Sequence, residues 1–355
     1  MSSLTTTRSA HQRPFRPRRW CQPRPRAAAL CFALAAGAAS TFAAAPAWAA
    51  GGYTISATIP VGHDATSVAV SPGGTRAYVT NFYSNTISII NIASNQVTAT
   101  IPAGHRPYAV ALTPNGQRAY VANVFGNTVT VIDTATDQIT ATIPVGIYPS
   151  AVAVSPGGTR AYVTNSGSSG IGTVSVINTT TNKVTATIDV GYNPRGIAVS
   201  PRGTRAYVAD TSSGGVSVIN TATNKVTATI NTGSYPTGVA ISPCGGRAYV
   251  TNYGSDGVSV INTATNKVIA NIGVGPTPGG VAVSPDGTRV YVANSESNLA
   301  DSKGSTSVIN TTTGQVIATV PGQGSPWGVA VSPGGTHIYV ANYTYPGTVT
   351  VITGP

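Results

Sequence analysis

Acidic residues are scarce in this chain: 9 Asp and Glu among 355 residues, against 20 Lys and Arg. Cysteine (3), histidine (4), phenylalanine (5) and methionine (1) are scarcer still. No stretch carries apolar residues at a 3.6-residue period, and 40 glycines and 25 prolines interrupt every segment that could form a long helix. These absences disfavour a helical fold. No Gly-x-Ser-x-Gly elbow, paired-glutamate motif, phosphate-binding loop or metalloprotease helix occurs, so the common catalytic signatures are missing. Two of the three cysteines, Cys21 and Cys31, fall in the first 50 residues. If that segment is removed on export, Cys244 alone remains, no internal disulfide can form, and the fold must rest on its core. Cys244 is expected in a turn as an exposed thiol.

The net charge of +11 is unevenly placed. Seven cations precede residue 27: Arg8, Arg13, Arg16, Arg18, Arg19, Arg24 and Arg26. An apolar, alanine-rich run from Ala27 to Ala45 follows, then the small-x-small triplet Ala47-Trp48-Ala49. This is the pattern of a secretory signal peptide over residues 1–49, with an uncleaved anchor as the alternative. Arg18-Arg19 leaves both general and twin-arginine export open. Cleavage would leave 306 of the 355 residues, with 13 cations, 9 acids, a net charge of +4 and no membrane-spanning segment. The basicity then belongs to the leader and does not argue for nucleic-acid binding. A periplasmic, cell-surface or extracellular monomer is expected.

What is abundant is repetition. Tyr-Val-Thr-Asn or a near copy begins at Tyr78, Tyr120, Tyr162, Tyr207, Tyr249, Tyr291 and Tyr339, at spacings of 42, 42, 45, 42, 42 and 48 residues. Within one unit, Ser67–Ser71, Arg76–Asn81, Thr86–Asn91 and Gln96–Ile101 read as short β-branched strands separated by Gly, Pro and Asn turns. Four such strands form an antiparallel meander that leaves two apolar faces bare, and a ring of meanders covers both. The expected fold is all-β, a seven-bladed β-propeller of four-stranded antiparallel blades over residues 50–355. The last repeat lacks a fourth strand. Tyr53–Ile59 resembles one, so the mature N-terminal strand is expected to complete the last blade and close the ring.

The recurring Val-Ala-Val-Ser-Pro-x-Gly, Arg-x-Tyr-Val-Thr-Asn and Asn-Thr-Ala-Thr-Asn-Lys-Val segments, the last at Asn262 to Val268, resemble the YVTN-repeat β-propeller family. That resemblance spans residues 53–355 and implies an exported or surface-layer-like protein. It brings no shared catalytic motif. Related seven-bladed propellers include lactonases and streptogramin lyases, which keeps an enzyme open by analogy.

In a propeller the loops joining strand four to strand one, and strand two to strand three, share one face, here the top. Both length changes, Ser166–Gly172 and Ser295–Ser305, fall there. The fourth-to-first loops bring His63, Asp64, His105, Arg106, Tyr108, Tyr148, Tyr192, Arg195, Tyr235 and Trp327 towards the channel mouth, a composition suited to recognition. His63 and His105, equivalent in consecutive blades, could with Asp64 ligate a divalent metal or serve as acid and base. No other cofactor is expected. Arg76, Arg118, Arg160, Arg205, Arg247 and Arg289 recur two residues before the tyrosines and read as structural, with heads at the bottom rim. By predicted face, Lys183, Lys225, Lys267, Arg202 and these arginines outweigh Asp133, Asp137 and Asp286 on the bottom, while acids including Asp301 prevail on top. The first functional reading is a non-catalytic binding or scaffold module at the cell envelope, whose top face meets an envelope polymer, a protein or a small ligand. A lactonase-like or lyase-like enzyme with a metal-assisted top-face site is the second. Nucleic-acid or polyanion binding by a basic bottom face is the third.

Overall fold

The structure, a computed structural model, describes residues 52–167, 171–296, 303–322 and 324–355. The expected leader, its two cysteines and Asp301 lie outside the described residues. In the first blade, strands Ala65–Val70, Arg76–Asn81, Thr86–Asn91 and Gln96–Pro102 pair in sequence order. Local chemistry sets each corner. Gly74, at φ 68°, donates its amide to Ser71 O at 2.8 Å and so closes the first turn. The side chain of Asn91 accepts from the Ser94 amide at 3.1 Å in the third-to-fourth turn.

Seven four-stranded antiparallel sheets repeat this pattern. In the seventh, Pro326–Val331, His337–Asn342 and Thr348–Thr353 are joined by Thr54–Pro60, which runs antiparallel to Thr348–Thr353. A single 3-10 turn, Thr211–Ser213, is the only helical element among the described residues, and none of their helices is long and apolar enough to cross a membrane.

The core lies between blades. Tyr78, Ile87 and Ile89 of blade one pack with Val110, Ala119, Val121 and Ile132 of blade two. An equivalent cluster fills each of the seven junctions, including the one between blades seven and one. Each repeat tyrosine is at most 3% exposed, so the Tyr-Val-Thr-Asn signature marks interblade packing.

Polar links reinforce these junctions. Arg76, Arg118, Arg160, Arg205 and Arg247 each donate to the carbonyl of a threonine in the next blade (Thr134, Thr179, Thr221, Thr263 and Thr311) at 2.5–2.9 Å. Arg76 also pairs with Asp137 at 3.0 Å. Cys244 is exposed but disulfide-bonded, so the expected thiol is not found.

In six blades the second strand ends in asparagine. Asn81 Nδ2 donates to Thr86 and Ser88 at 3.0 and 2.9 Å, and Asn123 Oδ1 accepts the Gly104 amide at 3.1 Å. Blade four has Asp210 in this place, fully buried, with Gly215 where blade one has the Thr86 hydroxyl. Its Oδ2 accepts from Ser217 at 2.6 Å. Burial raises its pKa from 3.8 to about 6, against the opposing hydrogen bonds of Ser217 and Gly191. The folded chain therefore holds this proton more tightly than the unfolded chain. The associated stability is fully present below pH 3.8 and is lost as pH rises through 6, a span of roughly 3 kcal/mol at most. Asp210→Asn is expected to flatten this dependence and to melt higher than the parent at pH 8. Parallel thermal melts from pH 4.5 to 8 check this, and equal slopes would refute the assignment.

Candidate functional site

The top of the channel is built by a repeated irregularity. In each innermost strand the pairing slips just after its start: between Ala65 and Ser67 in blade one, Pro107 and Ala109 in blade two, and Pro326 and Gly328 in blade seven. A bulge re-aims the side chain it carries. The bulge residues, Thr66, Tyr108, Ser150, Arg195, Thr237, Gly279 and Trp327, form the upper tier of a cavity of about 210 Å³ on the axis. Immediately below them the chain must be small. A Cβ on Gly196 would lie 2.3 Å from Thr237 O, and one on Gly328 would lie 2.6 Å from Thr66 O. Beneath this collar, Val68, Val110, Val152, Ile197, Val239, Val281 and Val329 line an aliphatic floor.

Hydrogen bonds fix the surrounding loops. The residue before the innermost strand is left-handed in six blades, at Asp64, Arg106, Tyr148, Asn193, Tyr235 and Thr277 (φ 46–59°). L-residues pay for this conformation, so it persists only where neighbours enforce it. Several of these amides are held by a side chain of the preceding blade: Arg106 by Asn85 Oδ1 (2.8 Å), Tyr148 by Asn127 Oδ1 (2.9 Å) and Thr277 by Asp256 Oδ1 (2.8 Å).

Not all the residues expected at the mouth reach it. Tyr108 and Arg195 do, and Arg195 Nη1 donates to the Tyr108 hydroxyl at 3.4 Å. Trp327 does also, with its ring centroid 6.2 Å from that of Tyr253 and its indole beside Gly279. Tyr192 and Tyr235 stand outside, 55% and 58% exposed and without ring partners among the described residues. His63 stacks on Tyr345 at 4.1 Å, whereas His105 lies against Phe125 at 5.8 Å. The two imidazoles make no ring contact with each other, and no group of three His, Cys, Asp or Glu that could hold a metal occurs among the described residues.

A second feature escaped the sequence reading. Phe82 is the hub of an aromatic sector across blades seven, one, two and three, with Tyr83, Tyr108, Phe125 and Tyr343 at 5.1–6.3 Å. Phe125 in turn meets Tyr148 edge-on at 5.8 Å. The Arg106 guanidinium lies 3.7 Å from the Tyr83 centroid and 5.1 Å from that of Phe82. Its Nε and Nη1 are buried without a hydrogen-bond partner, so the rings supply its contacts. Burial raises the Asp64 pKa, against the pull of His63 and Arg106. Burial, followed by the charge of Asp64, pushes Tyr343 up to about 12. Tyr83, Phe125 and Tyr345 remain 52%, 50% and 80% exposed. The signal was present in the residues that follow the end of each second strand: Phe82-Tyr83, Val124-Phe125, Tyr253-Gly254 and Tyr343-Thr344-Tyr345 in blades one, two, five and seven, against Ser166, Thr211 and Ser295 in blades three, four and six.

The bottom face offers less. Its arginines are largely committed to threonine carbonyls, and a hollow of about 370 Å³ between blades two and three presents Arg118 already bonded to Thr179. Lys183, Lys225 and Lys267 are exposed there.

Residues 38–169 match the family model of YNCE-like β-propellers, and residues 111–243 and 160–273 match that of the lactonase seven-bladed β-propellers. No curated protein sequence matches the chain. Among solved structures, hydrazine synthase of Kuenenia stuttgartiensis superposes with a TM-score of 0.74 at 24% identity, over 82% of this chain and 95% of that one. At this identity the likeness concerns the fold.

If the Asn127 side chain holds the Tyr148 loop, Asn127→Ala should speed hydrogen exchange of the Tyr148 amide about fivefold to tenfold. Exchange in the core strands should not change. Mass spectrometry of peptides covering residues 145–150 reads the effect, and unchanged exchange there would show that the loop is held by other contacts. The chain is a seven-bladed β-propeller whose sequence is similar, over overlapping stretches, to two β-propeller families.

Proposed function

We propose that the protein is an exported, non-catalytic recognition module that engages an envelope polymer or an envelope protein through the aromatic sector of its top face. The carrying observation is the exposure of Tyr83, Phe125 and Tyr345 on loops already fixed by hydrogen bonds. Large rings held in place bury much apolar area on contact and lose little conformational freedom. His63 and His105 each face an aromatic ring, and no group of three His, Cys, Asp or Glu that could hold a metal occurs among the described residues; both observations support binding over a metal-assisted reaction. The match to the lactonase family model favours a second reading, an enzyme whose acid or base is His105 or Asp64. Turnover of a lactone that is lost in His105→Ala would establish that reading in place of the first.

The deciding measurement is co-sedimentation of the protein with the source cell's envelope fraction across a salt series. Saturable binding that survives high salt, and weakens about tenfold or more when Phe125 and Tyr345 are both changed to Ser, is expected. Binding abolished by salt would move the interface to the basic bottom face. No binding at any salt would dispose of the recognition reading.

A further inference from the structure

The upper tier of the axial cavity contains seven bulge positions, and their hydrogen-bonding capacity can be accounted for. Three carry a serine or threonine hydroxyl, and all three are spent within the ring. Thr66 meets Thr80 Oγ1 at 2.8 Å, Ser150 donates to Pro194 O at 2.8 Å, and Thr237 donates to Pro278 O at 3.0 Å. Gly279 has no side chain. What remains is Arg195, Tyr108 and Trp327. The Arg195 side chain has one hydrogen bond among the described residues, the long one to Tyr108, and no ion pair. Because the Tyr108 oxygen accepts that bond, its own hydrogen is left to donate. The Trp327 indole N–H is a donor only. No Asp or Glu lines the cavity. The unspent side-chain groups at the mouth are thus donors, with one uncompensated cation, above a floor of valine and isoleucine.

We propose that this cup binds a small organic carboxylate with an apolar body. The carboxylate would sit on the Arg195 guanidinium, and the body would lie between the Tyr108 and Trp327 rings above the aliphatic floor. A single guanidinium matches a monoanion, and its planar fork matches a carboxylate. The donor-only mouth excludes a cationic ligand, and the apolar floor disfavours a bare inorganic anion. The site goes beyond the polymer contact proposed above and can fail without it, since Phe125 and Tyr345 do not line the cavity.

The test is calorimetric titration of the full chain with benzoate, its neutral isostere benzamide, and inorganic phosphate. Saturable benzoate binding is expected, with benzamide at least about tenfold weaker and phosphate silent. Arg195→Met, which keeps the stem, should weaken benzoate about tenfold or more, and Arg195→Lys should restore part of the loss. Benzoate should also change the tryptophan emission of the parent and leave that of Trp327→Phe unchanged, a readout that stands if Arg195→Met fails to fold. Equal affinity for benzoate and benzamide, an unaffected Arg195→Met, or no saturation below about 10 mM would overturn the proposal. Envelope co-sedimentation of the Arg195→Met protein, expected to be unchanged, separates this site from the aromatic sector.

Discussion

The close approach of neighbouring innermost strands governs the rest of the molecule. Seven strands converge on one axis, and the carbonyl of each bulge residue presses on the chain of the blade before it. That contact admits only a small residue beside it, which accounts for the collar of Ser67, Ala109, Ala151 and four glycines. It also occupies the Ser150 and Thr237 hydroxyls, whose nearest acceptor is a carbonyl of the next blade. The bulge directs the remaining side chains over the opening. A cup with an aliphatic floor and a donor-rich mouth is thus a geometric result of closing the ring.

Much of this was legible in the sequence because a repeat samples the same physics seven times. Strand limits in the first blade differ from the observed ones by only a residue or two, and Arg76–Asn81 and Thr86–Asn91 coincide. The repeat tyrosines and arginines are structural because whatever recurs in nearly every blade serves the junctions between blades. The site is written instead in departures from the repeat. Those beside the prolines were found, and Tyr108, Arg195 and Trp327 do reach the cavity. Those following the asparagines were missed, because a second-to-third-strand loop meets the neighbouring blade's fourth-to-first loop in space and not along the chain. His63 and His105, equivalent in adjacent blades, face different rings of the top loops: His63 stacks on Tyr345, and His105 meets Phe125 at a tilt.

Charge shows the same division of labour. Five of the six repeat guanidiniums reach carbonyls of the following blade and tie the bottom rim together, while Arg289 donates to Thr288 O of its own blade at 3.1 Å. The two top-face guanidiniums outside the repeat behave differently. Arg106 is covered by aromatic rings, and Arg195 is left over an opening without a counterion. Asp210 is the converse case, a carboxylate in an amide's place, and its raised pKa follows from burial.

The seam in blade seven has one more consequence. Thr54 pairs with Thr353, and Gly52 lies beside Pro355, so the first and last described residues meet at the bottom rim. Whatever tethers the propeller through either of these ends does so from below and leaves the aromatic face pointing away from the point of attachment.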